Sequence, residues 1–135
     1  MKISLISLST LLALMLIAAG CSKAPSKIDL TPRQLHELYP GDIKHVNYME
    51  IRSGSTGELK SYSDKEQIGQ WISSVENIVM VPDPNQEGRV GFLFSVALFE
   101  DKQIKLSFTP NSSNKIYYIH NKELFSSIKQ LFENK

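Results

Sequence analysis

Cysteine is almost absent from this chain of 135 residues, because Cys21 is the only one. A disulfide within the chain is therefore excluded. The histidines His36, His45 and His120 are too widely spread to predict a zinc site that also uses a thiolate. A catalytic thiol lies in a pocket of a folded scaffold, whereas Cys21 directly follows an apolar run. These exclusions favour a role for Cys21 as a point of covalent attachment.

Charge is absent from residues 3–20, which read ISLISLSTLLALMLIAAG. An uncharged run of this kind approaches the roughly 20 residues that a helix needs to cross a bilayer. A short basic start, an apolar middle and small residues at the end are also typical of a secretory signal peptide. The pattern favours the signal peptide and leaves a retained transmembrane anchor as the alternative.

The small residues Ala18, Ala19 and Gly20 directly before Cys21 resemble the lipobox of bacterial lipoproteins. In that family the cysteine receives a diacylglycerol group and the signal is cut just before it. Many members have leucine three positions before the cysteine, where this chain has Ala18. The resemblance implies that residues 1–20 are removed and that Cys21 carries the lipid.

The chain after the expected cleavage is electrically neutral. Removal of Lys2 lowers the basic count from 15 to 14, which equals the number of acidic residues. A neutral chain lacks the electrostatic footprint of a nucleic-acid-binding protein, so no nucleic acid partner is expected. Two acyl chains anchor a protein stably without a basic patch. We therefore expect residues 21–30 to form a lipid anchor and tether that holds one extracytoplasmic domain, residues 31–135, at the cell membrane.

Hydrophobic periodicity in residues 31–77 predicts a helix, a hairpin and a second helix. Thr31 is predicted to cap a short first helix, TPRQLHEL, with proline at its first position. HVNYMEIRS and GELKSYS read as strands joined by a turn at residues 54–57. Ser63 and Glu66 form a predicted capping box for the second helix. The apolar stripe of that helix consists of Ile68, Trp71, Ile72 and Val75.

The remainder of the chain predicts four strands and a last helix. The strands read IVMVP, GFLFSVALFE, QIKLSFT and KIYYIH, and the second of them is apolar on both faces, as in the middle of a sheet. Ile104, Leu106 and Phe108 are expected on one face of the third strand. Residues 111–114 are expected to form a turn, and Asn121 to cap the last helix. The apolar stripe of this helix consists of Leu124, Phe125, Ile128, Leu131 and Phe132.

These elements predict an α+β fold. We expect a two-layer domain in which two amphipathic helices pack on one face of an antiparallel sheet of five or six strands. The order is ββα-β-βββ-α, preceded by the short helix. This layout over about 90 residues, behind a lipobox-like start, resembles the small YhfM-like lipoproteins of Gram-positive bacteria. The resemblance implies a location in the cell envelope and transfers no catalytic residue.

The loop VPDPNQEGRVG has some features of a calcium loop. Asp83, Asn85, Glu87 and Gly88 match positions 1, 3, 5 and 6 of an EF-hand, but position 12 is Phe94 instead of glutamate. We interpret the loop as a polar connection between strands and expect no metal site. Weak calcium binding remains an alternative.

The sequence contains no G-x-S-x-G elbow and no other catalytic constellation, so no catalytic residue and no cofactor are predicted. The favoured function is a membrane-anchored lipoprotein with a small non-catalytic binding domain. Its partners would be the membrane, through Cys21, and an unidentified protein of the envelope. The alternative is an envelope enzyme of the hydrolase type that uses one of the histidines.

Overall fold

The computed structural model of the protein describes residue 20, residue 24 and residues 26–134. Cys21 and the predicted signal peptide, apart from Gly20, lie outside these residues. Within the described part of the chain, no helix has the length and apolar character to span a bilayer.

The described residues fold into eight strands, three α-helices and one 3-10 turn. The strands are β1 (Arg33–Gln34), β2 (Tyr48–Ser53), β3 (Leu59–Tyr62), β4 (Val79–Met80), β5 (Phe94–Glu100), β6 (Gln103–Thr109), β7 (Ser112–Ser113) and β8 (Ile116–Tyr117). The helices are α1 (Leu35–Leu38), α2 (Lys65–Val75) and α3 (Lys122–Glu133), and the 3-10 turn is Ile43–His45.

Six strands form one antiparallel sheet in the order β3-β2-β5-β6-β7-β8. Helices α2 and α3 pack against this sheet, so the predicted α+β fold is confirmed. β5 lies in the interior of the sheet, as its two apolar faces predicted. The predicted strand IVMVP is shorter than expected and pairs with β1 in a separate two-stranded sheet. A bridge between Pro82 and Tyr118 connects the two sheets.

The core lies between the large sheet and the two long helices. Met49 and Ile51 of β2, together with Val96 and Leu98 of β5, are fully buried beneath the helices. The opposite face of the sheet carries polar side chains, among them Glu50. This alternation in β2 is what a sheet with one covered face requires.

Helix α2 begins one residue later than the capping box predicted. The N-cap is Asp64, whose carboxylate accepts a hydrogen bond of 2.8 Å from the backbone N–H of Gln67, and Ser63 lies outside the helix. A carboxylate at the N-cap also interacts favourably with the helix dipole. The predicted stripe is confirmed, because Ile68, Trp71, Ile72 and Val75 are all buried.

Helix α3 begins as predicted. The Asn121 side chain accepts a hydrogen bond of 2.9 Å from the backbone N–H of Leu124. Leu124, Ile128 and Phe132 are buried, and Phe125 packs at the margin of the core.

The first helix is shorter than the proline pattern predicted. It begins at Leu35, and the Glu37 carboxylate accepts a hydrogen bond of 2.7 Å from the backbone N–H of Gln34. The N-cap is Gln34 and not Thr31, whose hydroxyl donates to the Asp29 carboxylate at 2.6 Å. Pairing of β1 with β4 holds the chain extended just before the helix.

Ile104 does not join Leu106 on the core face of β6, contrary to expectation. Leu98 pairs with Leu106, but Phe99 pairs with Ile104, so Lys105 is an extra residue in β6. Such a bulge changes the direction of the side chains that precede it. Ile104 is consequently 57% exposed.

The predicted turn at residues 111–114 is also wrong in its position. Ser112–Ser113 forms the strand β7, and the chain reverses at Asn114 and Lys115, whose φ angles of 49° and 65° are those of a tight hairpin turn. The following strand β8 ends at Tyr117. Tyr118 then points into the core and is 4% exposed.

Candidate binding groove along the second helix

A groove of about 520 Å³ runs between helix α2 and the segment that joins the 3-10 turn to β2. Its volume falls in the range of small-ligand sites, roughly 300–1,000 Å³. Residues of α2 line one wall, namely Lys65, Ile68, Gly69, Ile72 and Ser73. The other wall consists of Lys44, His45, Val46 and Asn47.

The helical period of α2 explains why its residues line the groove together. Positions i, i+3, i+4, i+7 and i+8 lie on one face of a helix, and the lining residues from Lys65 to Ser73 follow this spacing. This face extends for about 12 Å along the helix axis. Ile68 and Ile72 are buried and form the floor.

Gly69 lies in the interior of α2 and borders the groove. A Cβ atom at this position would meet no heavy atom within 4 Å, so close packing does not require a glycine here. Glycine in a helix interior costs about 0.5–1 kcal/mol of stability relative to alanine. The effect of this glycine is a wider groove at the middle of the helix face.

Hydrogen bonds of ordinary length hold the opposite wall in place. The Asp42 carboxylate accepts from the backbone N–H of Lys44 at 3.0 Å, which caps the 3-10 turn. The Asn47 side chain donates to the Asp101 carboxylate at 3.0 Å. The Asn47 backbone N–H donates to the carbonyl oxygen of Phe99 at 3.0 Å. This wall is therefore fixed to the end of the β5–β6 hairpin.

The rim of the groove is basic. Lys44 and Lys65 form no ion pair with any residue between 26 and 134. His45 lies 4.0 Å from the Glu100 carboxylate. The same carboxylate accepts a hydrogen bond of 2.8 Å from the hydroxyl of Tyr39. Burial of Tyr39 and this hydrogen bond raise the pKa of Tyr39 well above its ordinary value.

A second groove of about 510 Å³ shares Lys44 with the first. It contains both acidic and basic groups, including Asp42 and Glu76. His36 lines this second groove, and its ring Nδ1 lies 2.9 Å from the backbone oxygen of Glu76. This contact fixes the C-terminal end of α2 against α1.

The three histidines contact different parts of the fold. His36 contacts the end of α2, His45 faces Glu100, and the ring of His120 lies 5.5 Å from the ring of Phe125 in α3. Residues 26–134 contain no group of three histidine, cysteine, aspartate or glutamate side chains arranged to hold a metal ion.

The loop with EF-hand-like spacing is held by its own side chains. One oxygen of the Asp83 carboxylate lies 2.6 Å from the Arg89 guanidinium, and the other accepts from the backbone N–H of Asn85 at 2.9 Å. These two hydrogen bonds lower the pKa of Asp83. The Asn85 side chain in turn accepts from the backbone N–H of Glu87 at 2.9 Å. The side-chain oxygens of Asp83 and Asn85, at positions 1 and 3 of the EF-hand pattern, thus stabilise the loop through bonds within it.

Cys21, the predicted site of lipid attachment, lies outside the described residues. The groove residues were not predicted from the sequence. Gly69 was the signal that could have indicated them, because a glycine inside an otherwise regular amphipathic helix is unfavourable without a specific reason.

Comparison of the chain with protein-family models, with curated proteins and with solved structures finds no match.

Proposed function

We propose that this protein is a membrane-anchored lipoprotein whose extracytoplasmic domain binds an acidic segment of another envelope protein in the groove along α2. The lipid is attached to Cys21, and residues 21–30 tether the domain to the cell membrane. The domain acts by binding and not by catalysis.

The basic rim of the groove is the observation that carries this proposal. Lys44 and Lys65 lie on opposite walls, above a floor formed by Ile68 and Ile72. A peptide with acidic residues beside an apolar one is complementary to such a surface in charge and in polarity. Gly69 gives a peptide backbone close access to the helix.

Replacement of Cys21 tests the anchor. In cells given labelled fatty acid, the wild type should be labelled and should fractionate with the membrane, and Cys21→Ala should lose the label. Ser22→Ala is the matched control and should keep both properties. Equal membrane retention of wild type and Cys21→Ala, with no label in either, would refute the lipid anchor.

Site-specific crosslinking in intact cells tests the groove. A photoreactive amino acid at Ser73, on the groove wall, should give an adduct with a protein partner, whereas the same amino acid at Lys129 on α3 should not. Lys44→Glu together with Lys65→Glu should abolish the adduct by reversing the charge of the rim. An adduct that persists in this double variant would contradict recognition of an acidic segment.

A further inference from the structure

The direction in which the tether leaves the domain follows from the register of β1 and β4. Arg33 pairs with Met80 and Gln34 pairs with Val79 in antiparallel orientation. Just before Arg33 the chain therefore runs in the direction in which β4 continues, toward Val81.

Exposed apolar side chains are concentrated at this end of the domain. We call six of them the apolar end: Val79, Val81, Val90, Phe92, Leu93 and Ile119. Val90 is completely exposed, and Leu93 and Ile119 are each exposed by more than half. Ile28 and Leu30 of the tether itself are also exposed.

Backbone contacts bring the segments of the apolar end together. The backbone N–H of Ile119 donates to the carbonyl oxygen of Val81 at 2.8 Å. The Pro82–Tyr118 bridge continues the same antiparallel pairing, so Val81 and Ile119 lie side by side on the surface. The loop of Val90, Phe92 and Leu93 shares a cavity with His120, the residue after Ile119.

The charged side chains around the apolar end are largely neutralised by one another. Asp29 lies 2.6 Å from Arg33, and Asp83 lies 2.6 Å from Arg89. Glu87 is the remaining carboxylate of the loop, and Lys27 of the tether has the opposite charge. The end therefore combines a high apolar content with little net charge.

We propose that the apolar end docks on the membrane surface and lies in the interfacial region of the bilayer. This inference rests on the proposed lipid anchor, which sets where the tether begins. Nine residues, 22–30, separate Cys21 from Thr31, and a coil of that length has an r.m.s. span of only about 15–18 Å. The end where the tether leaves the domain is thus held next to the headgroups. Apolar side chains at that distance gain from burial at the boundary between headgroups and acyl chains.

Docking in this orientation has a consequence for the groove. The apolar end lies where β5 begins and β6 ends, whereas His45 and Asn47 of the groove contact the other end of that hairpin, at Glu100 and Asp101. Membrane contact at the apolar end therefore directs the groove away from the lipid. A protein partner can then reach it from the aqueous side.

A polarity-sensitive fluorophore on single cysteines tests the docking. The full-length lipoprotein, purified with its lipid, is reconstituted in vesicles of phosphatidylcholine and phosphatidylglycerol. Because the lipid blocks the thiol of Cys21, the fluorophore reacts only with the introduced cysteine in Val90→Cys or in Ile119→Cys. Ile104→Cys is the matched control, because Ile104 is apolar, 57% exposed and located near the β5–β6 turn at the far end of the sheet.

In the vesicles, the label at Val90 or Ile119 should emit several-fold more strongly than the label at Ile104. Spin-labelled lipid should quench the labels at Val90 and Ile119 but not the label at Ile104. Equal quenching at all three positions, or none at Val90 and Ile119, would overturn the docking. An absence of quenching at Val90 and Ile119 is also the result expected if a second copy of the chain or a protein partner covers the apolar end.

Failure of the anchor itself is recognised separately. If the parent chain, without an introduced cysteine, takes up the fluorophore, Cys21 carries no lipid and the proposed anchor is wrong. The same three labels in a Cys21→Ser background, mixed with the same vesicles, then decide the docking. Quenching at Val90 but not at Ile104 supports it, and no quenching at Val90 overturns it.

Discussion

Gly54 lies directly against the backbone of Phe92, so closely that a Cβ atom on Gly54 would overlap the Phe92 carbonyl oxygen. The backbone N–H of Gly54 also donates to the carbonyl oxygen of Leu93 at 2.8 Å. The turn between β2 and β3 thus holds the loop that carries Val90, Phe92 and Leu93 of the apolar end.

Substitution of Gly54 should loosen this contact. We expect Gly54→Ala to lower the free energy of unfolding by about 1–3 kcal/mol, because the backbone of the loop must move to admit the methyl group. Urea unfolding at neutral pH measures the change. Gly69→Ala is the matched control, since its Cβ meets no neighbour, and it should raise the free energy of unfolding by about 0.5–1 kcal/mol. If Gly54→Ala did not lower the free energy of unfolding relative to the wild type, the close contact would be contradicted.

The cap of α2 gives a second prediction. Asp64→Ala removes the acceptor for the backbone N–H of Gln67 and should cost about 0.5–2 kcal/mol of unfolding free energy. Ser63→Ala should change that free energy by no more than about 0.5 kcal/mol, because Ser63 lies outside the helix. Thermal or urea unfolding distinguishes the two variants. A larger effect for Ser63→Ala would restore Ser63 as the cap.

The buried hydroxyl of Tyr39 gives a prediction at alkaline pH. Burial and the hydrogen bond to Glu100 raise the pKa of Tyr39 above its ordinary value of 10.0. The folded protein therefore holds this proton more tightly than the unfolded chain, so the contribution of Tyr39 to stability is complete below about pH 10 and is lost as the pH rises further.

Tyr39→Phe should accordingly reduce the free energy of unfolding at pH 7 by about 0.5–1.5 kcal/mol and should weaken its decline above pH 10. Unfolding by urea at several pH values measures both effects. Tyr48→Phe is the control, because Tyr48 is only partly buried and its hydroxyl bonds to Glu50 two residues away. An unchanged alkaline slope in Tyr39→Phe would show that another group titrates there.

The loop at Asp83 should not respond to calcium. The ion pair with Arg89 occupies an oxygen that calcium would need, so millimolar calcium is expected to leave the melting temperature unchanged. Arg89→Ala frees that oxygen, so its melting temperature should be measured with and without calcium beside that of the wild type. A calcium-dependent rise in the melting temperature of the wild type, absent in Asp83→Asn, would instead identify a calcium site.

The elements that the sequence predicted correctly are those governed by local patterns. The stripe of α2 and the cap of α3 at Asn121 follow from spacing within a few residues, and both are confirmed. The central place of β5 followed from apolar residues on both of its faces. The signal peptide and the lipid on Cys21 also stem from a local pattern and remain predictions.

The errors occurred where contacts distant in sequence decide the conformation. Thr31 has the residue type of a cap, but pairing of β1 with β4 keeps the following chain extended. Ile104 matches the alternation of β6, but the bulge at Lys105 turns it to the surface. Neither the partner of a strand nor its register can be read from the strand alone.

The sequence by itself determined the fold class and the amphipathic helices, because periodicity and capping act over a few residues. It also determined that a single cysteine follows an apolar, signal-like run. Only the tertiary structure decided where surfaces form. The groove needs α2 beside the 3-10 turn, and the apolar end needs β4, the loop to β5 and the segment after β8 in one place. Such surfaces combine residues far apart in the chain, and their proximity is set by packing around a shared core.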